Sequence, residues 1–251
     1  MINEKSGIDQ YMRTLIEDLG VPYEEQGMNS NADVKQALKT ASKHKAGNAG
    51  KPEFVFFSDE FLVVVEDKAD INKNVSYTPD GDIDLSRGVI ADYALNGAVH
   101  YAKHIVENAL PVNHVFAIGA TGDKHSHEIK IAYVNDASIK ELPDISSLED
   151  LHPDNINEFY KVAVLGELPK EERELREVNK IAAAIHEDLR NYGSLEGEKK
   201  ATVVSAILLA LEEPTFDMVS LKSSDRLPPN ELEQALLIEL ENQRLYLKQQ
   251  P

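Results

Sequence analysis

Two acids and a lysine, Glu53, Glu66 and Lys68, stand in this 251-residue chain where they could hold a metal ion beside an ammonium group. Around them run Val55-Phe56-Phe57 and Phe61-Leu62-Val63-Val64-Val65, divided by the polar break Ser58-Asp59-Glu60. That pattern predicts two apolar strands joined by a tight turn. Successive side chains of a strand point to opposite faces, so Glu66 and Lys68 share one face and Asp67 takes the other. With Asp59-Glu60 as the loop, Phe57 faces Leu62 and Glu53 faces Glu66. Opposed residues of an antiparallel pair have Cβ atoms roughly 4.5–5.5 Å apart. Two carboxylates that close repel unless a proton or a cation lies between them. A divalent ion meets that need, because oxygen ligands suit Mg²⁺ and Mn²⁺. Asp-Glu lacks the glycine that a two-residue hairpin favours, so a shifted register stays open.

The elements that must position these residues can be read from periodicity. Ile8, Met12, Leu15, Ile16 and Leu19 have helical spacing, and Gly20 and Pro22 end that helix. A second helix is expected near Asn31, with Val34, Ala37, Leu38 and Ala41 on one face. The glycine-spaced loop Gly47-Asn48-Ala49-Gly50-Lys51 leads into the first strand. Residues 69–88 are polar, contain Pro79-Asp80-Gly81 and read as an insertion or mobile loop. One long helix is predicted over about 89–108, then a buried strand at Val115–Gly119 and another at Glu128–Val134. His125 and His127 lie between those strands. A His-x-His pair can bind zinc, but no further ligands stand at suitable spacing, so a hairpin connection suffices.

From Leu142 the texture changes to an irregular link with Pro143, Leu148, Leu151 and Pro153. Helices are then predicted at 155–164, about 169–192, about 197–211 and about 229–247. Leu175, Val178, Ile181, Ala182, Ile185 and Leu189 line one face of the second. The domain boundary is placed between residues 142 and 143, with an all-α domain over 143–251.

Composition narrows the class. There are no cysteines, which excludes disulfides and thiolate metal sites. No apolar run of about 18 residues is present, so no membrane span is expected. Met1–Lys5 lacks the features of a signal peptide, and a cytoplasmic protein is expected. Net charge is −18. Residues 1–140 hold 14 Lys+Arg against 21 Asp+Glu, and residues 141–251 hold 12 against 23, so neither half is a basic module. This balance argues against strong nucleic-acid binding by the chain as a whole.

At Pro52-Glu53 and Glu66-Asp67-Lys68 the chain resembles the PD-(D/E)xK nuclease superfamily, with Glu53 where the commoner residue is Asp. The order helix, strand hairpin, helix, strand, strand matches that family's α/β restriction-endonuclease-like core, a mixed central sheet flanked by helices. The resemblance implies metal-dependent hydrolysis of phosphodiester bonds in double-stranded DNA. By it, Glu53 and Glu66 hold Mg²⁺, or Mn²⁺, with the Asp67 backbone carbonyl as a further ligand. Lys68 orients the attacking water and stabilises the charged transition state. Asp33, an acid on an early helix, is a candidate for the same shell, and the bland alternative is an acid favoured by the helix dipole. Asn96 and Tyr101 are candidate supports from the helix after the lysine, as are Ser42 and Lys43 before the strands. Asn96 and Tyr101 stand roughly 140° apart on a helix, so only one can point at the metal.

The helical half also carries a resemblance. Glu177-Val178-Asn179, His186-Glu187-Asp188-Leu189-Arg190, Gly197-Glu198-Lys199-Lys200-Ala201 and Ser205–Leu211 look like the helical segment preceding adenine methyltransferase domains in restriction–modification enzymes. Together the two imply a type IIG-like polypeptide: nuclease, helical connector, then methyltransferase. Neither a glycine-rich S-adenosylmethionine loop nor a base-flipping Asn/Asp-Pro-Pro motif occurs, so this cofactor is expected only in a downstream domain that this chain lacks. The expected partners are double-stranded DNA, a methyltransferase or specificity region and, transiently on DNA, a second copy. The rival readings are a catalytically silent nuclease-fold interaction module and a repair nuclease.

Overall fold

The computed structural model describes residues 7–26, 31–44 and 47–191 together with Thr202 and Ser205. Among them are six strands: β1 (Tyr23–Glu25), β2 (Phe54–Ser58), β3 (Phe61–Lys68), β4 (Val115–Gly122), β5 (His127–Val134) and β6 (Ile139–Glu141). They form one mixed sheet in the order β1-β2-β3-β4-β5-β6. Only β3 and β4 run parallel. The helices are α1 (Ile8–Asp18), α2 (Ala32–Leu38), α3 (Arg87–Asp92), α4 (Ala94–Asn108), α5 (Ile156–Phe159) and α6 (Lys170–Asn191). Parallel neighbours need a long crossover, and α3 and α4 lie within it.

The hairpin forms in the register expected from the sequence: Phe57 pairs with Leu62 and Phe54 with Val65. Asp59 supplies the turn that glycine usually makes. Its φ is 49°, a left-handed conformation that short polar residues tolerate better than most. The Asn157 side-chain amide donates to its carboxylate at 2.6 Å.

Alternation along the strands builds two cores. Phe54, Phe56, Val63, Val65, Phe116, Ile118, Ile129 and Ile131 pack with Ile8, Met12 and Ile16 of α1. Val55, Leu62, Val64, Val115, Ala117 and Val134 pack with Val34, Ala37 and Leu38 of α2 and with Leu95, Val99, Ala102 and Ile105 of α4. Each strand residue joins the core on its own side because the side-chain period of a strand is two.

Three expectations change. The helix predicted over 89–108 is two helices, broken at Tyr93, whose backbone is extended (φ −112°, ψ 138°). The break lets α3 fold against α4: a Cβ on Gly97 would lie 2.9 Å from the Ile90 carbonyl oxygen. The polar segment 69–88 is tied down rather than loose. Asn96 accepts from the Ser76 N–H at 3.0 Å and donates to the carbonyls of Ser76 (2.7 Å) and Asp84 (2.8 Å). Buried Asn74 reaches the Gly119 carbonyl at 3.1 Å and the Glu128 carbonyl at 3.0 Å. Lastly, the first compact unit is Met1–Pro169 rather than 1–142. Leu142, Leu148, Leu151 and Ile156 are buried in the α1-side core, so the irregular link belongs to the sheet domain. Ser58 reinforces this by donating to the Leu151 carbonyl at 2.6 Å.

The second unit is Lys170–Pro251, of which α6 is the described element. It forms where a helix was predicted, with Glu171 and Glu172 in its first turn, the end where acids favour a helix. Apart from Thr202 and Ser205, which are helical, the helices predicted over about 197–211 and 229–247, and the residues there that resemble the connector, lie outside the described residues. No helix among the described residues is long and apolar enough to cross a membrane.

Candidate active site

The site is built at the end of the hairpin. Glu66 pairs with Gly119 and Lys68 with Thr121 in the parallel ladder, so β3 is still flanked when it reaches its charged end. Glu53 lies one position before β2, just beyond Phe54–Val65, the last pair of the hairpin ladder. Its N–H donates to the Val65 carbonyl at 3.1 Å and its carbonyl accepts from the Gln26 N–H at 3.0 Å. These two bonds fix its backbone between Gln26, the residue after β1, and β3.

Glu66 is fully buried and Asp67 only 4% exposed, while Glu53 and Lys68 are partly exposed. Burial raises the pKa of Glu53, and the neighbouring Glu66 charge raises it further; Lys43 and Lys68 oppose the shift. The charge of Glu66 thus acts on Glu53. Asp67 points to the α1 side. Burial pushes its carboxyl up to about 8, with Glu53, Asp9 and Glu66 adding to the effect and Lys68 opposing it.

The site holds a buried ion pair. Lys43, 8% exposed, donates from Nζ to Oε2 of Glu66. The other oxygen, Oε1, is buried without a hydrogen-bond partner, as is Oδ2 of Asp67. Buried carboxylate oxygens normally have partners, so these two stand out.

The loop carrying Lys43 is fastened to α4. The Ala41 carbonyl contacts His100 Nε2 at 2.9 Å, and the Lys51 N–H donates to the Tyr101 hydroxyl at 3.1 Å. Within the loop, Gly50 donates to the Leu38 carbonyl at 2.7 Å. Close approach demands glycine here: a Cβ on Gly50 would lie 2.5 Å from the Tyr101 ring. Lys43 Nζ then sits 5.2 Å from the centre of that ring, a cation–π geometry.

The candidate residues thus separate. Glu53, Glu66, Lys43 and Lys68 gather at one end of the sheet, and Tyr101 supports Lys43. Asn96 turns away to hold residues 76–84. Ser42 serves its own turn, its N–H donating to the Asn48 carbonyl at 3.0 Å and its hydroxyl accepting from the His44 N–H at 3.3 Å. Asp33 is exposed in the first turn of α2, next to the Asn31 cap. His125 and His127 fall at the β4–β5 connection, where His127 Nε2 contacts the Tyr11 hydroxyl at 3.3 Å. Among the described residues, no cluster of three or more His, Asp or Glu side chains forms a metal site. Any ion held here would therefore rest on two carboxylates completed by backbone oxygen or water.

Two features went unread in the sequence. One is Asp9 on α1, which adds negative charge near Asp67 and is paired with Arg13 at 3.2 Å. The other is the pairing of Lys43 with Glu66. No spacing rule links residues 23 apart across a helix exit and a strand.

No family model matches the chain, and no solved structure matches it. The chain is 61% identical over 227 residues to the type II restriction enzyme and methyltransferase RM.BcgI of Heyndrickxia coagulans. The alignment takes in 90% of this chain and 36% of that protein, so the chain spans about a third of the length of the curated relative it resembles.

Proposed function

We propose that this chain is the endonuclease module of a restriction–modification enzyme, of the PD-(D/E)xK type, hydrolysing phosphodiester bonds of double-stranded DNA with Mg²⁺ or Mn²⁺. One observation carries the reading: Glu66, fully buried beside Glu53, keeps a carboxylate oxygen with no partner at the charged end of the hairpin. An oxygen-only donor set of this kind suits a hard divalent cation. Glu53 and Glu66 would hold it, with the Asp67 carbonyl as a further ligand. When bound, such an ion supplies Lewis-acid stabilisation of charge on the phosphoryl group.

The chain's own residues do the rest. Lys68 Nζ donates a hydrogen bond to the attacking water and to the phosphoryl oxygen that gains charge. Water oxygen adds to phosphorus and releases a proton to solvent, the bond to the leaving sugar oxygen breaks, and that oxygen takes up a proton from solvent. Buried Glu66 gives the centre a fixed carboxylate, which limits reorganisation during reaction. The relative's printed name pairs restriction with methylation. On that ground target recognition, S-adenosylmethionine binding and methylation are assigned to a methyltransferase region outside residues 1–251, and cleavage to residues 1–169. A type IIG-like arrangement and a transient dimer on DNA follow from the same reading.

The test is Lys68→Ala in the complete enzyme, assayed on plasmid DNA with Mg²⁺. Cleavage is expected to disappear while the melting temperature stays within a few degrees, because a partly exposed strand-end change costs little stability. Cleavage at the wild-type rate would remove Lys68 from the mechanism. A second reading, a metal-free interaction module with this fold, draws on the Lys43–Glu66 pair, which neutralises Glu66 without any metal. Calorimetric titration with Mn²⁺ separates the two: binding that is lost in Glu66→Ala favours the nuclease.

A further inference from the structure

Among the described residues, Lys43 is the only buried lysine, and its ammonium sits on the carboxylate that the metal-site reading above requires. Burying one ion of such a pair is tolerable only while its partner stays in place. Glu53 and Glu66 stand with Lys43 and Lys68, and Asp9 and Asp67 lie near enough to act on the same groups. Adding a doubly charged ion sets Lys43 against a like charge at close range. While Oε2 of Glu66 accepts from Nζ, Oε1 alone is open to a metal, and that metal would lie close to the ammonium.

The Lys43 side chain is long, and its ammonium lies over the Tyr101 ring while it pairs with Glu66. A shift of Nζ alone would break the pair, leaving the loop anchored through Ala41 and Lys51.

We propose that Lys43 is a latch on the metal site: its ammonium holds Glu66 in the metal-free protein and must leave that carboxylate before Glu53 and Glu66 can grip one divalent cation. The latch rests on the metal-site reading and adds a step to it, an exchange of one cation for another. It keeps a buried carboxylate compensated until the metal arrives.

The experiment titrates the full chain with Mn²⁺ by calorimetry, comparing wild type, Lys43→Met and Glu66→Ala. Lys43→Met is expected to bind at least about tenfold more tightly than wild type, since a competing positive charge is gone. Without metal it is expected to melt lower than wild type, and Lys43→Met/Glu66→Gln to recover part of the loss. A second measurement needs no variant: the nitrogen-15 signal of the Lys43 ammonium in the wild-type chain. That signal is expected to be sharp in chelator and to shift or broaden once Mg²⁺ saturates the site. Equal or weaker Mn²⁺ binding by Lys43→Met, with none by Glu66→Ala, would refute the latch and leave the metal site standing. So would an ammonium signal unmoved by saturating Mg²⁺. No binding by wild type or by Lys43→Met would remove the metal site, and the latch with it.

Discussion

Glu66 and Asp67 are adjacent in β3, carry the same functional group and are both buried, yet the two faces of the sheet treat them differently. On the α4 face, Glu66 meets a lysine delivered by a loop that α4 holds in place. On the α1 face, Asp67 is buried under the charges of Glu53 and Asp9, and its Oδ2 has no partner. The first face compensates a charge with a counter-ion; the second favours the protonated acid. A buried carboxylate needs a counter-ion, a proton, hydrogen-bond donors or a metal, because an isolated charge in a protein interior is too costly. The face with the counter-ion is the one that can exchange it for another cation, which is why the catalytic reading belongs there.

That contrast can be broken by removing either carboxylate. The larger effect is expected from Glu66→Ala, measured by denaturant unfolding in chelator. It strands the buried Lys43 ammonium, and losing one partner of a buried pair costs about 3–5 kcal/mol. A loss below about 1 kcal/mol would mean that the pair is solvated in solution.

The smaller effect, and the one that sharpens the contrast, comes from Asp67→Asn. The Asp67 carboxyl rises from 3.8 to about 8 on folding. Between those values the folded chain binds a proton that the unfolded chain has released. Stability from this group is therefore present at low pH and declines as pH rises from about 4 to 8. The asparagine variant lacks that decline. In chelator, its stability relative to wild type is expected to grow across this interval and level off above it. Parallel pH profiles for the two proteins would show that Asp67 ionises normally.

The hairpin could be read before any coordinates, and the reason is physical. Val55-Phe56-Phe57 and Phe61–Val65 are apolar on both faces, and a slipped register would place Glu66 where Val65 belongs. Asp59 was the doubtful point, and its left-handed backbone, held by Asn157, resolves it. That ladder ends at Phe54 and Val65, one position short of Glu53 and Glu66. Less legible were β1 and β6, three residues each, too short to show a period. The helix break at Tyr93 involves no proline; it depends on Gly97 admitting the Ile90 carbonyl, a tertiary contact that periodicity cannot register. The same holds for Leu148, Leu151 and Ile156, whose spacing is irregular although they fill one core. Lys43 stood among the supporting candidates only because it precedes the strands. Its role depends on a loop folding back onto α4, which no local pattern encodes.

The most direct test is diffraction from crystals of the protein grown with Mn²⁺, using the anomalous signal of manganese to locate the ion. The expected result is one manganese ligated by carboxylate oxygens of both Glu53 and Glu66, with Lys43 Nζ withdrawn from Glu66. Manganese bound elsewhere, or a Glu53 carboxylate directed away from Glu66 in the presence of saturating metal, would contradict the assignment of this end of the sheet as a hydrolytic centre.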